Sequence, residues 1–123
     1  MTGESCGENS PAALEPAPTY LAVAAERRDD EIVVRLRGEL DVSNVADLRE
    51  AMRAILANPP STVVVDAAGL EYVDCAGLSV LVSARQQLAR QGRKLTIVDP
   101  QPLVRRRLTI TGWTTLQGGR RDG

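Results

Sequence analysis

Near the start of the chain, apolar and polar residues alternate with a period of two. In EIVVRLRG, residues 31 to 38, Ile32, Val34 and Leu36 point one way while Val33, Arg35 and Arg37 point the other. That is the pattern of a strand with two distinct faces. YLAVAAE before it alternates loosely, and the intervening RRDD predicts the turn of a hairpin. The period then changes. GELDVSN supplies a turn with Asp41, Ser43 and Asn44 as capping candidates, after which Val45, Leu48, Met52, Ile55 and Leu56 recur at spacings of three and four. This predicts helix one over about 44 to 57, with an apolar stripe on one face.

NPPS stops that helix. TVVVDA, residues 62 to 67, is a β-branched run without polar alternation, which suits a strand buried on both faces of a partly parallel sheet. A second helix is predicted from Cys75 or Ala76 to Gln91, with Gly92 as its stop. On a helical wheel Gly77, Leu78, Leu81, Val82, Ala84 and Leu88 share one broad arc, while Cys75, Ser79, Ser83, Gln86 and Arg90 form a narrow stripe opposite. KLTIVD reads as another buried strand. Pro102 then opens a short third helix with Leu103, Val104, Leu108 and Ile110 as its apolar positions, and WTTL closes as a last short strand.

The order ββαβαβαβ predicts an α/β fold, a mixed β-sheet of four to five strands joined by right-handed crossovers, with the helices packed mainly on one face. DAAGL at 66 to 70 and DCAGL at 74 to 78 echo each other. The first is expected to end a strand and turn at once, the second to open a helix.

Composition narrows the organisation. A chain of 123 residues with 43% hydrophobic content supports one domain with a modest core. Tyr20, Tyr72 and Trp113 are its only aromatics, so the core is aliphatic and stacking on nucleic-acid bases has little to work with. Residues 1 to 18 are rich in Gly, Ser, Pro, Ala and Glu and lack periodicity, predicting a disordered tail; 118 to 123 has the same character. The folded domain is therefore expected over 19 to 117.

Charge names no partner. Fourteen of the 15 basic residues are arginine, yet the net charge is −1, so there is no long-range pull toward nucleic acid or an anionic membrane. No apolar run is long enough to span a bilayer, and the N-terminal segment lacks the features of a secretory signal, so no membrane insertion and a cytoplasmic location are expected. Cys6 and Cys75 lie far apart and are expected to be free thiols in a reducing compartment.

Candidate chemistry is limited. With no histidine, Cys-His and Ser-His-Asp nucleophilic systems are excluded, and two isolated cysteines give no zinc site. There is no GxGxxG or Walker-type loop, and Arg105 to Arg107 read as a solvated face of a short helix. No cofactor, metal or catalytic residue is expected. Two readings of Cys75 stay open. It is either a small half-buried residue or a thiol at a helix N-terminus, where unpaired N–H groups favour an anion while the neighbouring Asp74 disfavours one. No strong activation of the thiol is expected, and Asp74 reads first as an N-cap worth about 1 kcal/mol.

Three features together, GELD at 38 to 41, VVVDAAGLEYVDCAGLSVL at 63 to 81 and LTITGW at 108 to 113, resemble those of STAS domains, in particular the anti-sigma factor antagonists. The resemblance covers residues 20 to 117. In those antagonists the second helix opens with Asp-Ser-(Ser/Thr)-Gly-Leu, and the serine accepts phosphate from the partner, an anti-sigma factor with a serine-kinase ATPase domain. Unphosphorylated antagonist binds that partner and releases the sigma factor; phosphorylated antagonist lets go.

By that resemblance Asp74 matches the motif aspartate, Cys75 the phosphoacceptor, Ala76 the second hydroxyl residue, and Gly77 and Leu78 themselves. Asp41 matches an acidic residue near the kinase contact, and Ser43 and Ser79 flank these positions. The resemblance thus implies a partner-binding surface of Asp41, Ser43, Asp74, Cys75, Ala76, Gly77 and Ser79. The chain departs from the family where the chemistry lies, because neither Cys75 nor Ala76 offers a serine kinase a hydroxyl. The expected consequence is a partner bound constitutively. A redox role for Cys75, in which oxidation puts bulk or charge where phosphate normally goes, is a further expectation. The alternative reading is a structural STAS subunit of a lipid-transport ABC system or a signalling scaffold, which needs no phosphoacceptor.

Overall fold

The computed structural model describes residues 20–112. The tails expected at 1 to 18 and 118 to 123, and the strand expected in WTTL, lie outside the described residues. Within them the order is β1 (Leu21–Arg28), β2 (Glu31–Leu40), α1 (Val45–Ala57), β3 (Thr62–Val73), α2 (Cys75–Arg90), β4 (Lys94–Val98) and α3 (Pro102–Ile110). β1 and β2 form the expected antiparallel hairpin, with Arg28 opposite Glu31 and only Asp29 and Asp30 between them. β3 pairs with β2, and β4 with β3, in parallel, so the mixed sheet has the order β1-β2-β3-β4. Parallel neighbours require a crossover, which α1 and α2 provide.

The helices share one face of the sheet. Ile32, Val34 and Leu36 of β2, Val63 and Val65 of β3, and Leu95 and Ile97 of β4 lie in a single core cluster. Leu48 and Met52 of α1, Leu81 and Leu88 of α2, and Val104 and Leu108 of α3 complete it. The intervening residues of β2 face away. Arg35 is exposed and reaches Glu26 of β1 at 3.3 Å and Asp66 of β3 at 3.7 Å. Among the described residues no helix is long and apolar enough to cross a membrane.

β3 corrects one expectation in a way that matters for the site. It does not end and turn at DAAGL but runs on to Val73. Its inward residues are Val63, Val65 and Ala67, then Leu70 and Val73, so two strides of three interrupt the period of two. Pairing with β2 jumps from Arg35↔Asp66 to Arg37↔Gly69, and again from Gly38↔Leu70 to Glu39↔Tyr72. At each jump β3 carries one extra residue, and each such bulge flips which parity faces the core. The Asp66 carboxylate accepts the Ala68 N–H at 3.0 Å across the first bulge. Gly69 fits there because a Cβ would stand 2.9 Å from Arg37 Cγ and 3.3 Å from the Leu36 carbonyl oxygen.

Other boundaries shift for local reasons. β2 extends through Leu40, so the turn begins only at Asp41. Asn44 occupies the N-cap position of α1, but its side chain makes no capping bond there. Its Oδ1 accepts the Asp41 N–H at 3.0 Å and its Nδ2 donates to the Glu39 carbonyl at 2.9 Å. β4 is buried on one face only, through Leu95 and Ile97. On α2, Val82 of the apolar arc is half-buried against the core cluster, and Val80, which the wheel left unassigned, is buried on the flank that faces α1. Ile110 is 80% exposed, whereas Val104 and Leu108 of the same helix are buried as expected.

Candidate functional site

The parallel register of β2 and β3 builds the site. Leu40, the last residue of β2, pairs with Val73, the last of β3, so the two chains leave the sheet side by side. Crevices at the carboxyl ends of parallel strands are favoured places for recognition. Here one exit is the Asp41–Asn44 turn and the other is the first turn of α2.

Asp74 joins them. Its N–H donates to the Leu40 carbonyl at 3.1 Å. Its Oδ1 accepts the Gly77 N–H at 3.0 Å, capping α2, and its Oδ2 accepts the Val42 N–H at 3.1 Å. The capping expectation is therefore met, and the same carboxylate also fixes the neighbouring turn. Asp41 is turned back on its own loop, where Oδ1 accepts the Ser43 N–H at 2.9 Å and the Ser43 hydroxyl at 2.6 Å. These local captures are what short acidic and hydroxyl side chains do well in turns.

Gly77 is buried and its place is structural. A Cβ there would lie 2.6 Å from Leu40 Cγ and 2.9 Å from Val73 Cγ2, so the absence of a side chain lets the first turn of α2 seat directly on the strand ends. Ala76 is half-buried and packs against the core cluster. Cys75 and Ser79 are exposed one helical turn apart. Cys75 is a free thiol, and among the described residues its sulfur makes no hydrogen bond. Among the described residues no second thiol stands beside it, and with Ser79 it offers an exposed surface for contact.

The sequence reading missed two contributors. Val42 is 74% exposed, a large aliphatic side chain held out at the tip of a polar turn. Its signal was an isolated valine between Asp41 and Ser43, which hydrophobic periodicity cannot interpret. The second is a shallow groove beside Cys75, lined by Leu78, Ser79 and Val82 of α2 and closed by Thr111 beyond α3. α3 is held there partly by Arg107, whose guanidinium lies 5.1 Å from the centre of the Tyr72 ring. Among the described residues no cluster of side chains comes together to hold a metal ion.

A family model described as "Mlab, STAS domain" matches residues 23–118. The chain belongs to the STAS domain family. Anti-sigma-F factor antagonist RsfB of Mycobacterium tuberculosis is 26% identical to this STAS domain over 96 residues, 78% of each chain. The anti-sigma-B factor antagonist of Staphylococcus epidermidis is 31% identical over 84 residues, 68% of this chain and 78% of that one. The crystal structure of an anti-sigma factor antagonist from Mycobacterium paratuberculosis superposes with a TM-score of 0.69 at 27% identity, covering 76% of this chain and 79% of that one. The two sequence relatives and the structural neighbour are each named as antagonists of anti-sigma factors.

Proposed function

We propose that this STAS domain acts in the cytoplasm as an anti-sigma factor antagonist, binding an anti-sigma factor of the serine-kinase type and so releasing its sigma factor. The observation that supports the docking surface is the two-way carboxylate of Asp74. It sets the Asp41–Asn44 turn and the start of α2 in one fixed relation, presenting Val42, Ser43, Cys75 and Ser79 together. Asp41 and Gly77 shape that surface from within, and Ala76 carries no hydroxyl beside it.

On this reading, regulation departs from the usual serine switch. A phosphoserine at the head of α2 would add a charge of about −1.5 to −2 to a docking face, enough to expel a partner. A thiol at position 75 gives a serine kinase nothing to modify, so binding is constitutive with respect to that kinase. The test is incubation of the purified chain with the anti-sigma factor and ATP, followed by intact-mass analysis. An unchanged mass alongside stable complex formation is the expected result; a phosphate on Ser79 or Ser83 would overturn the constitutive reading.

A second reading draws on the same lack of hydroxyls at 75 and 76: a structural STAS subunit of a lipid-transport ABC system, which needs no phosphoacceptor. Affinity capture from native lysate distinguishes the two, since recovery of transporter subunits without a sigma-regulating ATPase favours the second.

A further inference from the structure

The helix layer is unevenly charged. α1, α2 and α3 carry seven arginines against two carboxylates, Asp47 and Glu50, both on α1, in a chain whose net charge is −1. Ion pairs on the sheet join Glu26 to Arg28 and to Arg35, and Arg35 to Asp66. Arg49 and Arg53 of α1 take part in none of these pairs.

Two of them border a groove between α1 and α2. Arg49 and Arg53 stand on the α1 side, Ser79 and Ser83 on the α2 side, and Met52 and Leu56 supply apolar surface between them. Both arginines are exposed, four residues apart on one helix, where like charges repel. Among the described residues no carboxylate lines the groove. Two positive groups beside apolar surface fit a ligand with both acidic and aliphatic groups better than a simple inorganic anion. Ser79 and Ser83 also line the groove beside Cys75, so the two recesses adjoin across these two side chains.

We propose that the protein partner's footprint extends from the Cys75 surface over Ser79 into the α1–α2 groove. There Arg49 and Arg53 pair with carboxylates of an acidic, apolar-anchored segment of that partner. This inference rests on the antagonist reading above and adds the chemistry of the partner's contacting segment. Charge complementarity of this kind raises association rate and sets orientation, and it weakens as salt rises.

The experiment titrates the full chain against the purified kinase-type anti-sigma factors of its own genome, at low and high salt, and compares wild type, R49E/R53E and Cys75→Trp. Wild type is expected to bind with marked salt dependence. R49E/R53E is expected to bind about tenfold or more weakly with a shallower salt dependence. Amide exchange at Arg49 to Leu56 is expected to slow in the wild-type complex. If the double reversal unfolds the domain, Arg49→Gln combined with Arg53→Gln replaces it. Binding that is lost in Cys75→Trp but kept within about twofold in the arginine variant overturns this inference alone. Failure of wild type to bind any of them overturns the antagonist reading, and this inference with it.

Discussion

The carboxylate of Asp74 and the backbone N–H of Val42 meet at 3.1 Å across two chain exits separated by 32 residues in sequence. With its other oxygen, Asp74 caps α2 at the Gly77 N–H. Asp74→Ala removes both acceptors and should cost about 1–3 kcal/mol in urea denaturation. Asp74→Asn keeps one oxygen acceptor and should lose less. Partner affinity should fall further in Asp74→Ala than in Asp74→Asn, since the Val42 turn then loses its fixed relation to α2. Equal stability of Asp74→Ala and wild type would remove the clamp from this account.

Gly77→Ala tests the seating of α2 on the strand ends. Alanine is the better helix former by about 0.8–1 kcal/mol, so propensity alone predicts stabilisation. The added Cβ would meet Leu40 and Val73 side chains at 2.6 to 2.9 Å. Overpacking of that kind costs about 1–3 kcal/mol, and a net destabilisation is expected. A rise in the thermal midpoint would show that the contact relaxes without strain.

Cys75→Ser supplies the hydroxyl that position 75 lacks. Because Cys75 is exposed and its sulfur is not hydrogen-bonded among the described residues, the fold should be unchanged. With the anti-sigma factor and ATP, the variant should gain one phosphate by intact mass and then release its partner. A variant that stays unmodified would show that the surrounding surface, and not the thiol alone, prevents phosphate transfer.

Acid sensitivity should arise in part at the far end of β3. The Ser61 hydroxyl, and then the Ser61 N–H, hydrogen-bond the Asp30 carboxylate and hold its carboxyl below the ordinary value of 3.8. The unfolded chain lacks these bonds and takes up the proton at higher pH. The stabilisation is therefore fully present above 3.8 and disappears as pH falls through the lowered folded value. In a pH series of urea melts, the gap between wild type and Asp30→Asn should narrow on the acid side. A gap independent of pH would argue against the linkage.

Much of the fold was legible because its signals are local and periodic. Ile32, Val34 and Leu36 mark a strand, the stripe from Val45 to Ile55 marks α1, and Pro102 marks the start of α3. β3 was read only halfway because its bulges replace alternation with the spacings 67, 70 and 73, which look like a turn or a helical face. The motif residues Asp74, Cys75 and Gly77 stood out in sequence, and Asp74 was legible as a cap. Its second bond was not, since the register that brings Leu40 beside Val73 is a property of the assembled sheet. Val42 escaped notice for the same reason: its exposure follows from a turn held by a residue far along the chain.

Cys75 lies between two anchors that do not involve its own side chain. On one side the Asp74 backbone bonds to Leu40, and on the other Gly77 packs against Leu40. Position 75 is therefore a socket whose architecture is indifferent to its occupant. Serine, threonine or cysteine can be exchanged there by single mutations without renegotiating the fold. On the proposed function, covalent control of docking can be acquired or discarded at this one position while the neighbouring turn and helix start stay in place.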